Sequence, residues 1–349
     1  MVRNTFGYFL AGLVLSLLGS SNLHAQLPGQ TYGEMVPRDV REMYERGLAY
    51  LAESQADDGS WPDSNQGPGI TGMAVMAMLA SGEDPNFGIY SGNIKRGLRH
   101  MIASQNSSTG MLGNSMYHHG FATLCLAEAY GAVDDRSLWG TDVDPNGQRS
   151  IAEALELAVR TSVTSQKKNK FGAWRYSADA NDADTSVSGA ILVSLLAARN
   201  AGIEVSDESI DRAIAYYTSM TSDSGQVAYA GGFGGFDESL ARISIAALVY
   251  SIARRKDLPQ FDATLGYLTA RLEQPPGAYE QYARYYQAQA LFQGDVDAWE
   301  RWNRLLVREM KASQMENGQF KGQFGSTTDT ALSLLALALN YRFLPIYER

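Results

Sequence analysis

The chain has 349 residues, 45% of them hydrophobic, with 38 acidic side chains against 29 basic ones and a formal charge of -9. That acidic balance excludes nucleic acid and anionic membrane surfaces as natural partners, because both call for basic patches. The single cysteine, Cys125, excludes an intrachain disulfide, so stability has to come from the sizeable core that a chain this long can bury.

Residues 1–25 carry the pattern of an export signal: Arg3, an apolar stretch from Phe6 to Leu18, then Leu23-His24-Ala25 before Gln26. Cleavage is expected after Ala25, leaving residues 26–349 as one domain in the periplasm or outside the cell. The apolar stretch is too short to span a bilayer, and no later one reaches about 18 residues, so no transmembrane segment is expected in the mature chain.

From Pro37 onward the pattern is helix pairs. One member of each pair is amphipathic, as in Tyr44, Leu48 and Leu51, or Ile94, Leu98, Met101 and Ile102, or Ile151, Leu155, Ala158 and Val159, or Ile210, Ala213, Ile214 and Tyr217. The other is apolar almost all round: Met73 to Leu79, Phe121 to Ala129, Val187 to Ala198, Ile243 to Ile252, Leu332 to Leu339. A helix apolar on every side has to be surrounded by protein. A fifth pair joins Phe261–Leu272 to Tyr279–Phe292, a sixth begins near Trp299, and Val133–Gln148 reads as a surface loop. The turns inside the pairs repeat a glutamine, a glycine and an aromatic residue: Gln55, Gly59 and Trp61; Gln166, Gly172 and Trp174; Gln314, Gly318 and Phe320. Gln105 marks a weaker copy. Intervals of 50 residues from Gln55 to Gln105 and 61 from there to Gln166 fit a repeat architecture in which each pair hides its apolar side against its neighbours. Six pairs with no marked polar ends fit two concentric rings better than an open array.

The spacings Gln55-x3-Gly59-x-Trp61 and Gln166-x5-Gly172-x-Trp174 resemble the QW motif of the prenyltransferase and squalene-cyclase repeat family. The chain looks most like its uncharacterised exported bacterial members, through Gly172-Ala-Trp-Arg-Tyr176, Asp184-Thr-Ser-Val187, Trp299-x2-Trp-Asn303 and Tyr341-Arg-Phe-Leu-Pro-Ile-Tyr347. The resemblance implies an all-α (α/α)6 toroid, terpenoid cyclase/protein prenyltransferase-like. Asp182-Ala-Asp184-Thr185 resembles the cyclases' D-x-D-D motif and would give Asp184 the general acid's role, with Asp182 as the charged neighbour that holds its proton. The last position is Thr, and Asp184 is also placed to cap a helix, as is Asp329 before Thr330. The Asp, Cys, His zinc set of the protein prenyltransferases has no counterpart, since Cys125 falls about 10 Å along a helix from His118. No metal or cofactor is expected.

In such a ring the starts of the inner helices surround an axial mouth. The candidates for ligand binding there are Tyr117, His118, His119, Asp237, Glu238, Arg242, Tyr282, Tyr285, Tyr286, Gln289 and Asp329, with Tyr279 in the same tyrosine-rich wall. Successive side chains on a helix point about 100° apart, so one of the two histidines at most faces the mouth. Three readings follow. The first is an exported toroid that binds an apolar or isoprenoid-like ligand, or a partner protein, in the funnel. The second is a terpenoid cyclase-like enzyme acting through Asp184. The third is a toroidal polysaccharide lyase or glycosidase in which Tyr, His and Arg242 handle a uronate.

Overall fold

A computed structural model describes residues 36–63, 67–139, 148–230 and 238–347. The export-signal reading, Asp237 and residues 140–147 of the 133–148 loop lie outside them. Among the described residues, twelve α-helices alternate between two layers. The outer layer is α1 (Arg38–Ser54), α3 (Ser91–Ser104), α5 (Ile151–Lys168), α7 (Asp207–Met220), α9 (Pro259–Thr269) and α11 (Val296–Ser313). The inner layer is α2 (Pro68–Leu79), α4 (Met116–Ala129), α6 (Thr185–Asn200), α8 (Leu240–Ile252), α10 (Glu280–Gly294) and α12 (Ser326–Leu337). Each inner helix packs on the next, and α12 returns to α2, so the inner layer is closed.

The layers follow from the sequence pattern. All twelve residues of α2 are buried, whereas α1 buries Val40, Met43, Tyr44, Gly47, Leu48 and Leu51 along one stripe. α10 breaks the rule. Every residue from Gln281 to Gln293 is buried, including four glutamines and Arg284, so polarity here marks groups that find partners or cavities inside the protein.

The glutamine turns tie neighbouring outer helices together. Gln55 Nε2 donates to the carbonyls of Gly59 and Asn93, Gln105 Nε2 to those of Gly110 and Ala154, and Gln166 Nε2 to those of Gly172 and Ser209. Carbonyls only accept, which fixes the amide nitrogen as the end facing them. In the last turn Gln314 Nε2 donates to Gly318 and to Met43 of α1, 271 residues away, and so closes the outer ring. The inner ring closes on Asp63, whose Oδ2 accepts the N–H (2.7 Å) and O–H (2.8 Å) of Thr328 in the first turn of α12. α12 carries no side-chain cap of its own, so the first hairpin supplies the missing acceptor.

The chain after α12 turns back beneath the ring, at the C-terminal ends of the inner helices. Ile346 donates its N–H to Glu128 Oε2 at the end of α4, Gln293 Nε2 of α10 donates to the Ile346 carbonyl, and the Tyr347 hydroxyl donates to Leu335 O of α12. Leu344, Ile346 and Tyr347 are buried there and stopper that end. At the other end the ring holds a cavity.

Candidate functional site

At the N-terminal ends of the inner helices lies an axial cavity of about 780 Å³, within the range of small-molecule sites. All six inner helices contribute. Ile70 and Met73 come from α2, Tyr117, His118 and Phe121 from α4, Ser186 from α6, Ala241 and Arg242 from α8, Tyr282 from α10 and Thr328 from α12. The segments leading into these helices add Tyr176, Tyr229, Tyr279 and Phe324.

The aromatic floor is continuous. Tyr117 packs on Phe121 (centroids 5.4 Å apart) and Tyr282 (6.1 Å), and Tyr282 meets Tyr286 edge-on at 4.9 Å. At the rim Tyr279 stacks on Phe324 with centroids 5.2 Å apart and planes 22° apart. Tyr279 has φ of 60°, the left-handed region that a bulky residue occupies only when its surroundings hold it there. Arg242 donates from Nε to the Val227 carbonyl at 3.0 Å, with its guanidinium 5.9 Å from the Tyr229 ring centre. The Tyr176 and Tyr229 hydroxyls are 3.1 Å apart.

Of the residues nominated from sequence, Tyr117, His118, Arg242, Tyr279 and Tyr282 line this cavity. Tyr285, Tyr286 and Gln289 continue the Tyr282 face of α10 but lie deeper, fully enclosed; Gln289 Nε2 donates to the Tyr285 carbonyl. Glu238 turns outward to accept the Tyr267 hydroxyl at 2.6 Å.

His119 points away from the cavity. Its Nδ1 accepts the Leu112 N–H at 3.0 Å, so Nε2 carries the proton and faces Ala158 O at 3.1 Å. Leu112 stands where Trp174 and Phe320 stand in their turns, and those residues donate the same N–H to Ser188 Oγ and Thr330 Oγ1. His119 is thus the second turn's version of a repeated internal hydrogen bond. Complete burial holds its imidazole down at about 4. The unfolded chain titrates near the ordinary 6.5 and binds a proton that the folded chain refuses, so this contribution is complete above that value and is lost as pH falls toward 4. Asp184 and Asp329 act in the opposite sense, and comparison with a His119→Gln variant cancels them. Between pH 7 and pH 4.5 the stability difference should move in favour of the variant by on the order of 2 kcal/mol in denaturant titrations. A pH-independent difference would contradict the assignment.

Asp184 occupies the N-cap of α6, where Oδ1 accepts the Val187 N–H at 2.8 Å. Oδ2 is buried 3.6 Å from Arg175 Nε, and Arg175 also reaches the exposed Asp182 at 3.3 Å. Burial raises the Asp184 carboxyl to about 6, opposed by the Val187 N–H and Arg175. The carboxylate is 0% exposed and is not on the cavity wall, where Ser186 stands instead. Asp184→Asn, which keeps a capping oxygen, should unfold close to the native chain, while Asp184→Ala should lose about 0.5–2 kcal/mol in thermal or denaturant melts. Equal losses for both variants would contradict the cap.

Asp329 is not the counterpart of Asp184. The hydroxyl register that matches Ser188 with Thr330 matches Asp184 with Ser326. Asp329 lies inside the first turn of α12 and turns Oδ2 back to accept the N–H groups of Phe324 and Gly325, both at 3.0 Å, which orders the loop carrying Phe324. Burial lifts its carboxyl to about 6. Among the described residues no group of three His, Cys, Asp or Glu side chains could hold a metal ion, and no helix is long and apolar enough to cross a membrane.

No family model matches the chain, and no curated protein matches its sequence. Solved structures do resemble it. An inactive variant of the alpha-1,6-mannanase GH76A of Salegentibacter sp. HEL1_6, in complex with alpha-1,6-mannotriose, superposes with a TM-score of 0.64 at 10% identity, over 86% of this chain and 98% of that one. The type II terpene cyclase MstE from Scytonema gives 0.59 at 15% identity, over 88% and 100%. An alpha-amylase from Clostridium perfringens gives 0.58 at 9% identity, over 87% and 99%. The chain is an α/α toroid. Likeness at these identities speaks for the toroid alone, since one fold hosts many chemistries.

Three of the wall residues that sequence reasoning missed, Tyr176, Tyr229 and Phe324, sit in segments that enter an inner helix. Their position between a turn and the next apolar run was the available signal.

Proposed function

We propose that the toroid is an exported binding protein that takes an apolar, isoprenoid-like ligand into the axial cavity. The observation that carries this reading is the wall itself: aromatic and aliphatic groups from four of the six inner helices, hydroxyls (Ser186 and Thr328) from the other two, and no Asp or Glu among the described residues that line it. Aromatic faces suit the methyl groups and alkenes of a polyprene chain, and each buried CH2 contributes about 0.8 kcal/mol before the cost of association. His118, Arg242 and the tyrosine hydroxyls at the mouth suit a polar head. A glycosidase reading calls for two carboxylates flanking the bond, and a cyclase reading calls for Asp184 to meet substrate. Neither requirement finds support in the lining residues. The placement outside the cytoplasm rests on residues 1–25 read as a cleaved signal.

The test is a titration with farnesol, followed by the protein's tyrosine and tryptophan fluorescence. Saturable binding in the micromolar range is expected, reduced at least tenfold by Ala241→Trp, which fills the cavity from α8. Binding that is unchanged in this variant, or absent in the native chain, would overturn the reading.

A further inference from the structure

A second cavity, of about 510 Å³, opens away from the axis between α10, α11 and the segment after α9. Its origin lies in the repeat. In the first, second, fourth and sixth turns a glycine sits directly on a backbone carbonyl of the next outer helix: Gly59 on Arg96, Gly110 on Leu157, Gly225 on Ala263 and Gly318 on Arg46. Three of those turns, and the third, also carry the bridging glutamine. The fifth turn has Gly277, but no atom of a neighbouring helix comes within 4 Å of where its Cβ would stand. Among the described residues no glutamine there bridges α9 to α11 either.

The joint that the chain seals elsewhere with its own turn is therefore open. One wall is apolar, formed by Trp302, Leu305 and Leu306 of α11. Gln287, 1% exposed, lines the other, and its Nε2 is buried with no acceptor. In the sealed turns a glutamine Nε2 faces two backbone carbonyls; Gln287 stands on the inner helix instead, and a backbone carbonyl entering the joint would meet its Nε2 in the same way. An unmet buried donor is costly, and an incoming acceptor removes that cost. Arg284 spans the rim to Glu280 (2.6 Å) and Glu309 (2.7 Å), and with Glu273 the carboxylates outnumber Arg284 and Lys321. That balance favours a basic segment.

We infer that this joint binds a basic loop of a partner protein carrying Gly-x-aromatic, whose ring enters against Trp302 and Leu306 while a backbone carbonyl accepts from Gln287. The proposal is independent of the axial cavity. The probe is a nine-residue peptide with the sequence of residues 166–174, Gln-Lys-Lys-Asn-Lys-Phe-Gly-Ala-Trp, which has the turn's form and three lysines. Calorimetric titration of the full chain should give saturable binding that weakens at least tenfold with Gln287→Leu and is lost with Leu305→Trp, and also when the peptide's tryptophan is replaced by alanine. Saturation with farnesol should leave it unchanged. Absence of binding, binding insensitive to both protein variants, or displacement by farnesol would overturn the inference. Melting curves check that each variant is folded, and Leu305→Trp carries the test if Gln287→Leu is not.

Discussion

Trp174→Ala should lower stability by about 3–5 kcal/mol, the range for removing a large buried aromatic side chain. Trp174 is 1% exposed, between the outer and inner layers of the third hairpin, and its Nε1 donates to the Ser162 carbonyl of α5 at 2.8 Å. Its backbone carbonyl accepts from Asp184 N–H and Ser188 Oγ, so the indole anchors the segment that starts α6 and carries Tyr176 to the mouth. The cavity left behind cannot collapse easily, because Ser188 and Asp184 hold the backbone on either side. A denaturant midpoint within about 0.5 kcal/mol of the native chain would mean that the tryptophan is not packed as described.

The second large effect is expected at the closure. Gly318→Val should destabilise by on the order of 4 kcal/mol or more, through two costs that add. Gly318 has φ of +87°, which a β-branched residue resists, and a Cβ there would run into the carbonyl of Arg46 in α1. The neighbouring Gln314 bridge to Met43 is lost with it. In a closed array each hairpin is held from both sides, and opening one joint leaves two free ends. Hydrogen exchange should then show α1 and α11 opening ahead of α5 and α6. Uniform protection equal to the native chain would contradict the closure.

These expectations rest on features of very different visibility in the sequence. The two helix types were legible because burial on one stripe or on all faces leaves a direct mark on apolar spacing, and the Gln, Gly and Trp positions were legible because one geometry demands them in turn after turn. α10 was harder. Its glutamines and Arg284 look solvent-facing by hydropathy, yet all are buried, because a polar side chain can be satisfied by partners far away in the chain: Gln281 Oε1 accepts from Ser333, and Arg284 reaches Glu309. His118 and His119 are adjacent and chemically identical, and only the Leu112 N–H separates a wall residue from an internal acceptor. Asp184 and Asp329 share a following threonine but differ by three residues in register, a shift that only the hydroxyl contacts of Trp174 and Phe320 reveal. The stopper formed by Leu344, Ile346 and Tyr347 depends on Glu128, more than 200 residues earlier, so no local pattern announces it.

The axial cavity, stoppered at one end and walled by aromatic groups, is proposed to hold an apolar ligand. Native mass spectrometry after incubation with a membrane lipid extract tests it most directly. An apolar molecule should be retained at one per chain and lost from Ala241→Trp. An unliganded native chain, or equal retention by the variant, would contradict it.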